Sequence, residues 1–146
     1  MLNCRAALTP AHRVDGAPLS PRARARLFAV ALAVVATIVG LGARALLVGW
    51  PAKILGDVCW TLDVYALARF LGPGQPRRRI AAIVLLVSFG VELLQLTPLP
   101  AALSSRSVLW KLLLGSHFHA GDLLSYASAV VLAVGLERLA LGPRSP

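Results

Sequence analysis

The stretch that most constrains this chain is residues 80–96, IAAIVLLVSFGVELLQL, seventeen residues with no basic side chain and a single carboxylate, Glu92. A run this long and apolar can cross a bilayer as a helix, and an acid inside such a span is costly unless protein or water surrounds it. Ser88, Glu92 and Gln95 are spaced four and three residues apart, so a helix places all three on one side. We therefore expect this polar side to face other parts of the protein and not lipid.

The composition indicates an integral membrane protein. The 146 residues are 58% hydrophobic and only 14% charged, which is too apolar for an ordinary soluble domain. A net charge of +9 would also suit a nucleic-acid-binding protein. The Lys and Arg residues, however, cluster between apolar runs and are not interleaved with aromatic residues. We therefore predict membrane lipids as partners and no nucleic acid.

The hydropathy pattern predicts an all-α membrane bundle of four transmembrane helices with one short interfacial helix. Residues 1–21 contain three prolines and no helical or strand period, and we expect a disordered arm there. The first apolar run also resembles a signal peptide, but its length and the spans that follow favour an uncleaved anchor. The predicted spans are residues 27–49, 54–71, 80–97 and 120–141 in one domain of residues 22–141; the interfacial helix is residues 103–114, and residues 142–146 form a short tail.

The distribution of basic residues predicts the orientation. With a cytoplasmic amino terminus, eleven Arg residues fall in inside segments and four basic residues in outside segments. An excess of Lys and Arg marks the cytoplasmic side, so both termini are predicted to be cytoplasmic. The outside residues are Arg44, Lys53, Arg106 and Lys111.

This topology brings several polar residues to the same level. Asp57 and Asp122 lie about 5 and 3 Å below the outer ends of their spans, at a rise of about 1.5 Å per residue. Glu92 and Gln95 lie in the outer third of the third span, and Tyr126 shares a helix face with Asp122. We therefore predict an outward-facing polar cluster that is completed by bases from the outer segments. Its predicted members are Asp57, Glu92, Gln95, Arg106, Asp122 and Tyr126.

Two interpretations of this cluster stay open. In the structural one, the groups pair with each other and hold the helices together, because a charge at the centre of a span costs roughly 2.5–3.5 kcal/mol. In the functional one, Glu92 and the bases bind a head group or move a proton. Asp57 can alternatively cap its helix, and Asp63 lies deeper on another face, where burial favours the protonated carboxyl.

A metal site is a further alternative. His117, His119 and Asp122 offer nitrogen and oxygen ligands that can hold zinc. A His-x-His pair in a loop is common by chance, and no nucleophile motif surrounds the serines at 104, 105 and 107. We predict no metal and no other cofactor, and the catalytic residues of any enzymatic activity are unknown.

Several short motifs together resemble the small bacterial membrane proteins of domain of unknown function 2809 (DUF2809). They comprise LGDV at 55–58 after an aromatic-Pro-x-Lys turn, Tyr65 and Arg69, VELLQ at 91–95, LGSxF at 114–118 and GDLLxY at 121–126. The resemblance covers roughly residues 27–139 and implies a four-helix protein of the bacterial inner membrane. Glu92, Gln95, Arg106 and Asp122 are also similar to the VanZ-like family, which is associated with glycopeptide tolerance at the cell envelope.

Three functions are compatible with these features. The first is an accessory membrane protein whose polar cluster binds a lipid or a cell-envelope-related ligand. The second is a proton- or ion-coupled transporter or channel subunit, which needs a homo-oligomer because four spans are few for a complete path. The third is an intramembrane enzyme that acts on a lipid-linked substrate.

Overall fold

A computed structural model describes residues 19–114 and 119–142, and these residues form six helices and no strand. The prediction of an all-α protein is confirmed. Most of the predicted disordered arm, residues 1–18, and most of the predicted tail, residues 143–146, lie outside the described residues. The helices are α1 (Pro21–Leu46), α2 (Trp50–Leu71), α3 (Arg77–Leu94), α4 (Leu99–Ser104), α5 (Val108–Leu114) and α6 (Ala120–Leu141).

Helix α1 begins before the predicted span because local sequence signals start it early. The Ser20 hydroxyl accepts a hydrogen bond from the Ala23 amide at 3.2 Å, and Pro21 occupies the first turn, where its missing N–H is no loss. The arginines at 22, 24 and 26 therefore belong to the helix. Pro21, which was predicted to end the disordered arm, instead opens α1.

Helices α1 and α2 form a closely packed antiparallel hairpin. The turn between them contains Gly49, whose φ of 72° lies in the region that glycine adopts most readily. Further along, a Cβ on Gly40 would lie 2.9 Å from the Cys59 Cβ, so the small residue permits the close approach. Alanines at 25, 29, 36 and 43 are buried on the same helix. Small side chains therefore set the short distance between α1 and α2.

Helix α6 packs against α2 and α3 and completes the core. Buried apolar residues from all four long helices form one cluster, whose members include Leu32, Leu62, Tyr65, Ile80, Val84, Val130 and Ala133. Helix α3 ends at Leu94, three residues before the predicted end at 97. The Thr97 amide and hydroxyl both bond to the Leu94 carbonyl, and Pro98 follows without an amide hydrogen.

The sequence predicted one interfacial helix at residues 103–114, but the structure has two short helices in this region. Helix α4 starts earlier, at Leu99, and ends at Ser104; α5 starts at Val108. Serine hydroxyls compete with helical hydrogen bonding at the break. The Ser105 hydroxyl donates to the Ala102 carbonyl at 2.8 Å, and the Ser107 hydroxyl accepts from the Leu109 amide at 3.2 Å.

This bundle buries several charged side chains and exposes many large apolar ones. Charged side chains such as Arg69, Glu92 and Glu137 are fully buried, while α1, α3 and α6 expose many large apolar side chains. Helices α1 and α6 are long and apolar enough to cross a membrane. Only 28% and 33% of their most apolar segments are buried, whereas a core helix of a soluble protein is mostly buried.

Candidate functional site

Polar side chains of α2, α3 and α6 meet at the end of the bundle where α2 and α6 begin and α3 ends. We call this group the Glu92 cluster; its members are Lys53, Asp57, Glu92, Asp122 and Tyr126. Three carboxyl groups from three different helices thus lie near one another, and one ammonium group lies among them.

Lys53 joins the two aspartates of the cluster. Its Nζ lies 3.0 Å from Asp57 Oδ2, one turn further along α2, and it also donates to Asp122 Oδ2 on α6. The Asp122 and Asp57 side chains are 10% and 18% exposed, whereas Lys53 is 40% exposed. The ammonium group therefore connects two helices at a point where the cluster reaches the protein surface.

Glu92 is fully buried and is held by neutral donors. The His119 backbone N–H donates to Oε1 at 2.6 Å, and the Tyr126 hydroxyl donates to Oε2 at 3.0 Å. Because His119 is the N-cap residue of α6, the carboxylate lies at the positive end of that helix dipole. The Tyr126 ring is fixed by Trp60, with ring centroids 6.0 Å apart and a 48° angle between the planes.

Ser88 extends the polar side of α3 below the Glu92 carboxylate. The residues Ile80, Val84, Ser88 and Glu92 form the buried face of this helix, at a spacing of four. The Ser88 Oγ is fully buried and has no hydrogen-bond partner among residues 19–114 and 119–142. One turn from Glu92, the protein therefore keeps a hydroxyl that can still donate or accept a bond.

Four of the six predicted site residues meet in this cluster: Asp57, Glu92, Asp122 and Tyr126. Gln95 is the C-cap residue of α3, and its side-chain oxygen is buried. Arg106 is exposed in the turn between α4 and α5, and it forms no hydrogen bond or ion pair with the members of the Glu92 cluster. The serine-rich break that splits the predicted interfacial helix accounts for this position.

Among the described residues, Lys53 is the base that pairs with Asp57 and Asp122. The sequence predicted it only as one of the basic residues of the outside segments. Arg44 lies instead against Gly56, where an added Cβ would be 3.3 Å from the Arg44 Nε. The Lys111 side chain and His117 lie outside the described residues. The spacing of four residues between Lys53 and Asp57 could have predicted this pairing, because side chains four apart meet on one helix face.

The structure also bears on the capping role of Asp57, the position of Asp63 and the metal site. Asp57 lies two turns inside α2, whose N-cap residue is Gly49, so it does not cap this helix. Asp63 is separate from the Glu92 cluster and receives the Thr37 hydroxyl at 3.3 Å from each carboxylate oxygen. Within the described residues, no three His, Cys, Asp or Glu side chains are arranged to hold a metal ion.

A second polar group, which sequence reasoning missed, lies at the opposite end of the bundle. We call it the Glu137 cluster; its members are Tyr65, Arg69, Arg77 and Glu137. Glu137 Oε2 accepts from the Tyr65 hydroxyl at 2.7 Å and from Arg69 Nε at 2.9 Å, and Oε1 accepts from Arg77 Nε at 3.0 Å. Arg69 also donates to the Gln75 carbonyl at 2.8 Å. This cluster connects α2, α3 and α6 to the loop after α2.

The two clusters differ in what they can do chemically. The Glu137 carboxylate is surrounded by two guanidinium groups and is neutralised within the protein. In the Glu92 cluster the described residues supply three carboxyl groups and one ammonium group, so acid is in excess. Such a site can bind an amine or a hydroxyl-rich group, or it can take up a proton.

Comparison with known proteins identifies one family. The family described as "Protein of unknown function (DUF2809)" matches residues 46–129, which is more than half of the chain. No curated protein and no solved structure matches significantly. The matched segment includes every member of the Glu92 cluster but ends before Glu137. The chain belongs to the DUF2809 family.

Proposed function

We propose that this protein is a four-span membrane protein whose Glu92 cluster binds the head group of a lipid or of a cell-envelope-related molecule. Helices α2 and α3 then cross the membrane together with α1 and α6. Support comes from their outer surfaces, which expose Ile54, Leu67, Leu86 and Leu93, while their charged residues Arg69 and Glu92 are buried. In this arrangement the Arg-rich turn at 77–79 is cytoplasmic and the Glu92 cluster faces outward, in a bacterial inner membrane.

The observation that carries the proposal is the convergence of carboxyl groups from three helices around one partly exposed ammonium. A cluster that only holds helices together needs no more acids than bases. Among the residues that the structure describes, the excess of acceptors favours a ligand that brings donors of its own, such as an amine or a sugar hydroxyl. The Ser88 hydroxyl adds a further buried group that can bond to it.

Lys53 explains how such a ligand can enter. Its side chain is 40% exposed and flexible, so it can move outward while Asp57 and Asp122 exchange the ammonium for a ligand amine. The rigid part of the site, Glu92 with Tyr126 and Trp60, stays in place during this exchange.

The test uses two variants and two probes. Glu92→Gln removes the buried acid, and Tyr126→Phe removes one hydroxyl but keeps the ring against Trp60. Binding of phosphatidylethanolamine and of an undecaprenyl-linked aminosugar is measured by native mass spectrometry in a mild detergent. The matched control is Arg138→Gln, which removes an exposed charge at the other end of the bundle.

We expect wild type and Arg138→Gln to retain at least one of the two probes. Loss of one hydrogen bond to a charged group should weaken that binding about tenfold in each cluster variant. Equal retention by all four proteins would show that the cluster only holds the helices together. Circular dichroism of each sample separates this outcome from misfolding.

Proton transfer is a second candidate function, and one observation favours it. Within the described chain, Glu92 is bonded to neutral donors and, unlike Asp57 and Asp122, forms no ion pair with a base. Because four spans are few for a complete path, this function requires a homo-oligomer. A monomeric protein with no proton flux in pH-gradient vesicles would exclude it.

A further inference from the structure

Two hollows lie in line along one side of the α1/α2 hairpin, and Asp63 borders both. One has a volume of about 130 Å³ and is bordered by α1 residues 36–44 and α2 residues 56–63. The other has a volume of about 280 Å³ and is bordered by residues 29–33 and 63–70. We call them the α1/α2 groove.

The groove has the length of a site for a hydrocarbon chain, and its lining is mostly apolar except at Thr37 and Asp63, where the two hollows meet. At about 1.5 Å per residue, the distance along α1 from Ala29 to Arg44 is about 22 Å, which exceeds the roughly 15 Å depth of one leaflet. The small residues Ala29, Ala36 and Gly40 border it, together with the exposed apolar side chains of Val30, Leu41, Leu67 and Phe70. The Asp63 carboxylate along the groove accepts the Thr37 hydroxyl.

Arg44 places a positive charge at one end of the groove. Its guanidinium lies against the Cα of Gly56, where any larger residue would come within 3.3 Å of it. The side chain is exposed and makes no hydrogen bond or ion pair with the residues that the structure describes. A guanidinium presents several donors in a plane and matches the oxygens of a phosphate.

We propose that the α1/α2 groove binds a phospholipid, with its phosphate on Arg44 and one acyl chain along α1 and α2. The positive charge of Arg44 favours an anionic head group. The length of the groove favours a ligand with an acyl chain over free phosphate. The groove lies on the α1 side of α2 and meets the Glu92 cluster at Trp60, which borders the groove and packs on Tyr126. This lipid is therefore a second ligand; its binding rests on the proposed crossing of the membrane by α1 and α2, but not on ligand binding by the Glu92 cluster.

The probes for this site are palmitoyl-oleoyl-phosphatidylglycerol and the corresponding diacylglycerol, which has the same chains and no phosphate. Affinities are measured by native mass spectrometry of the full chain in mild detergent. Arg44→Gln removes the charge, and Val30→Trp fills the groove from its exposed rim. The matched controls are Arg78→Gln, an exposed arginine elsewhere, and Val35→Trp, an exposed valine of α1 outside the groove.

Wild type is expected to bind phosphatidylglycerol about tenfold more tightly than diacylglycerol, which is the scale of a charge-assisted hydrogen bond to phosphate. Arg44→Gln should abolish this preference, Val30→Trp should weaken both lipids, and both controls should behave as wild type. Glu92→Gln should keep phosphatidylglycerol, so the two proposals fail separately.

Two results would overturn the phospholipid site. The first is equal affinity of wild type and Arg44→Gln for phosphatidylglycerol. The second is a wild-type dimer that Val30→Trp dissociates and Val35→Trp does not, because a second copy of the chain would then occupy the groove.

Discussion

Replacing Glu137 by Gln should strongly destabilise the protein. The Glu137 carboxylate accepts three hydrogen bonds at 2.7–3.0 Å, two of them from arginines, and both Glu137 and Arg69 are fully buried. An amide at this position turns its NH₂ toward a guanidinium donor and leaves two positive charges unneutralised. Removing one partner of a buried ion pair costs about 3–5 kcal/mol, and we expect a loss in this range.

The free energy of unfolding is measured by titrating sodium dodecyl sulfate into dodecyl maltoside micelles and following helix content by circular dichroism. Arg138→Gln, at the neighbouring exposed position, is the control and should change stability by less than about 0.5 kcal/mol. A double-mutant cycle of Arg69→Met with Glu137→Met should show a coupling of about 2 kcal/mol or more. A loss below about 1 kcal/mol for Glu137→Gln, as for exposed ion pairs, would refute the reasoning.

Two further predictions concern packing inside the bundle. Gly40→Ala should cost about 1–3 kcal/mol because the new methyl group meets Cys59 at 2.9 Å, while Gly42→Ala, which meets nothing within 4 Å, should be neutral or stabilising; the same detergent titration compares them. Ser88→Ala should leave stability unchanged or raise it by up to about 1 kcal/mol, because it removes a buried hydroxyl that has no partner in the described chain. A marked loss for Ser88→Ala would mean that this hydroxyl is bonded in the native state.

The long helices were predictable because their apolar runs are uninterrupted and are bounded by Pro, Gly and Arg. The polar face of α3 was predictable for a similar reason, since the spacing of Ser88 and Glu92 fixes their common side once a helix is assumed. Tyr126 followed from its spacing to Asp122 on α6. These features depend on the geometry of single helices.

The partners across helices were not predictable, because they depend on how the helices rotate and slide against one another. Glu137 resembles an ordinary charge at the end of a span, and its burial between Arg69 and Arg77 arises only when α2, α3 and α6 pack together. Arg106 lies with an exposed side chain in the turn after α4, because local serine hydrogen bonds replace the helical ones there. Lys53 pairs with the acids because the packing of α2 against α6 places it between Asp57 and Asp122.

The central claim is that four helices cross the membrane and hold the Glu92 cluster on the side opposite the Arg-rich turn. Thiol labelling tests it most directly, with single cysteines His119→Cys beside the cluster and Gly74→Cys in the turn after α2, in a protein whose Cys4 and Cys59 are replaced by Ala. In intact cells a membrane-impermeant maleimide should label the first variant, and it should label the second only after the membrane is opened. Labelling of Gly74→Cys in intact cells, or equal labelling of both variants, would contradict the claim.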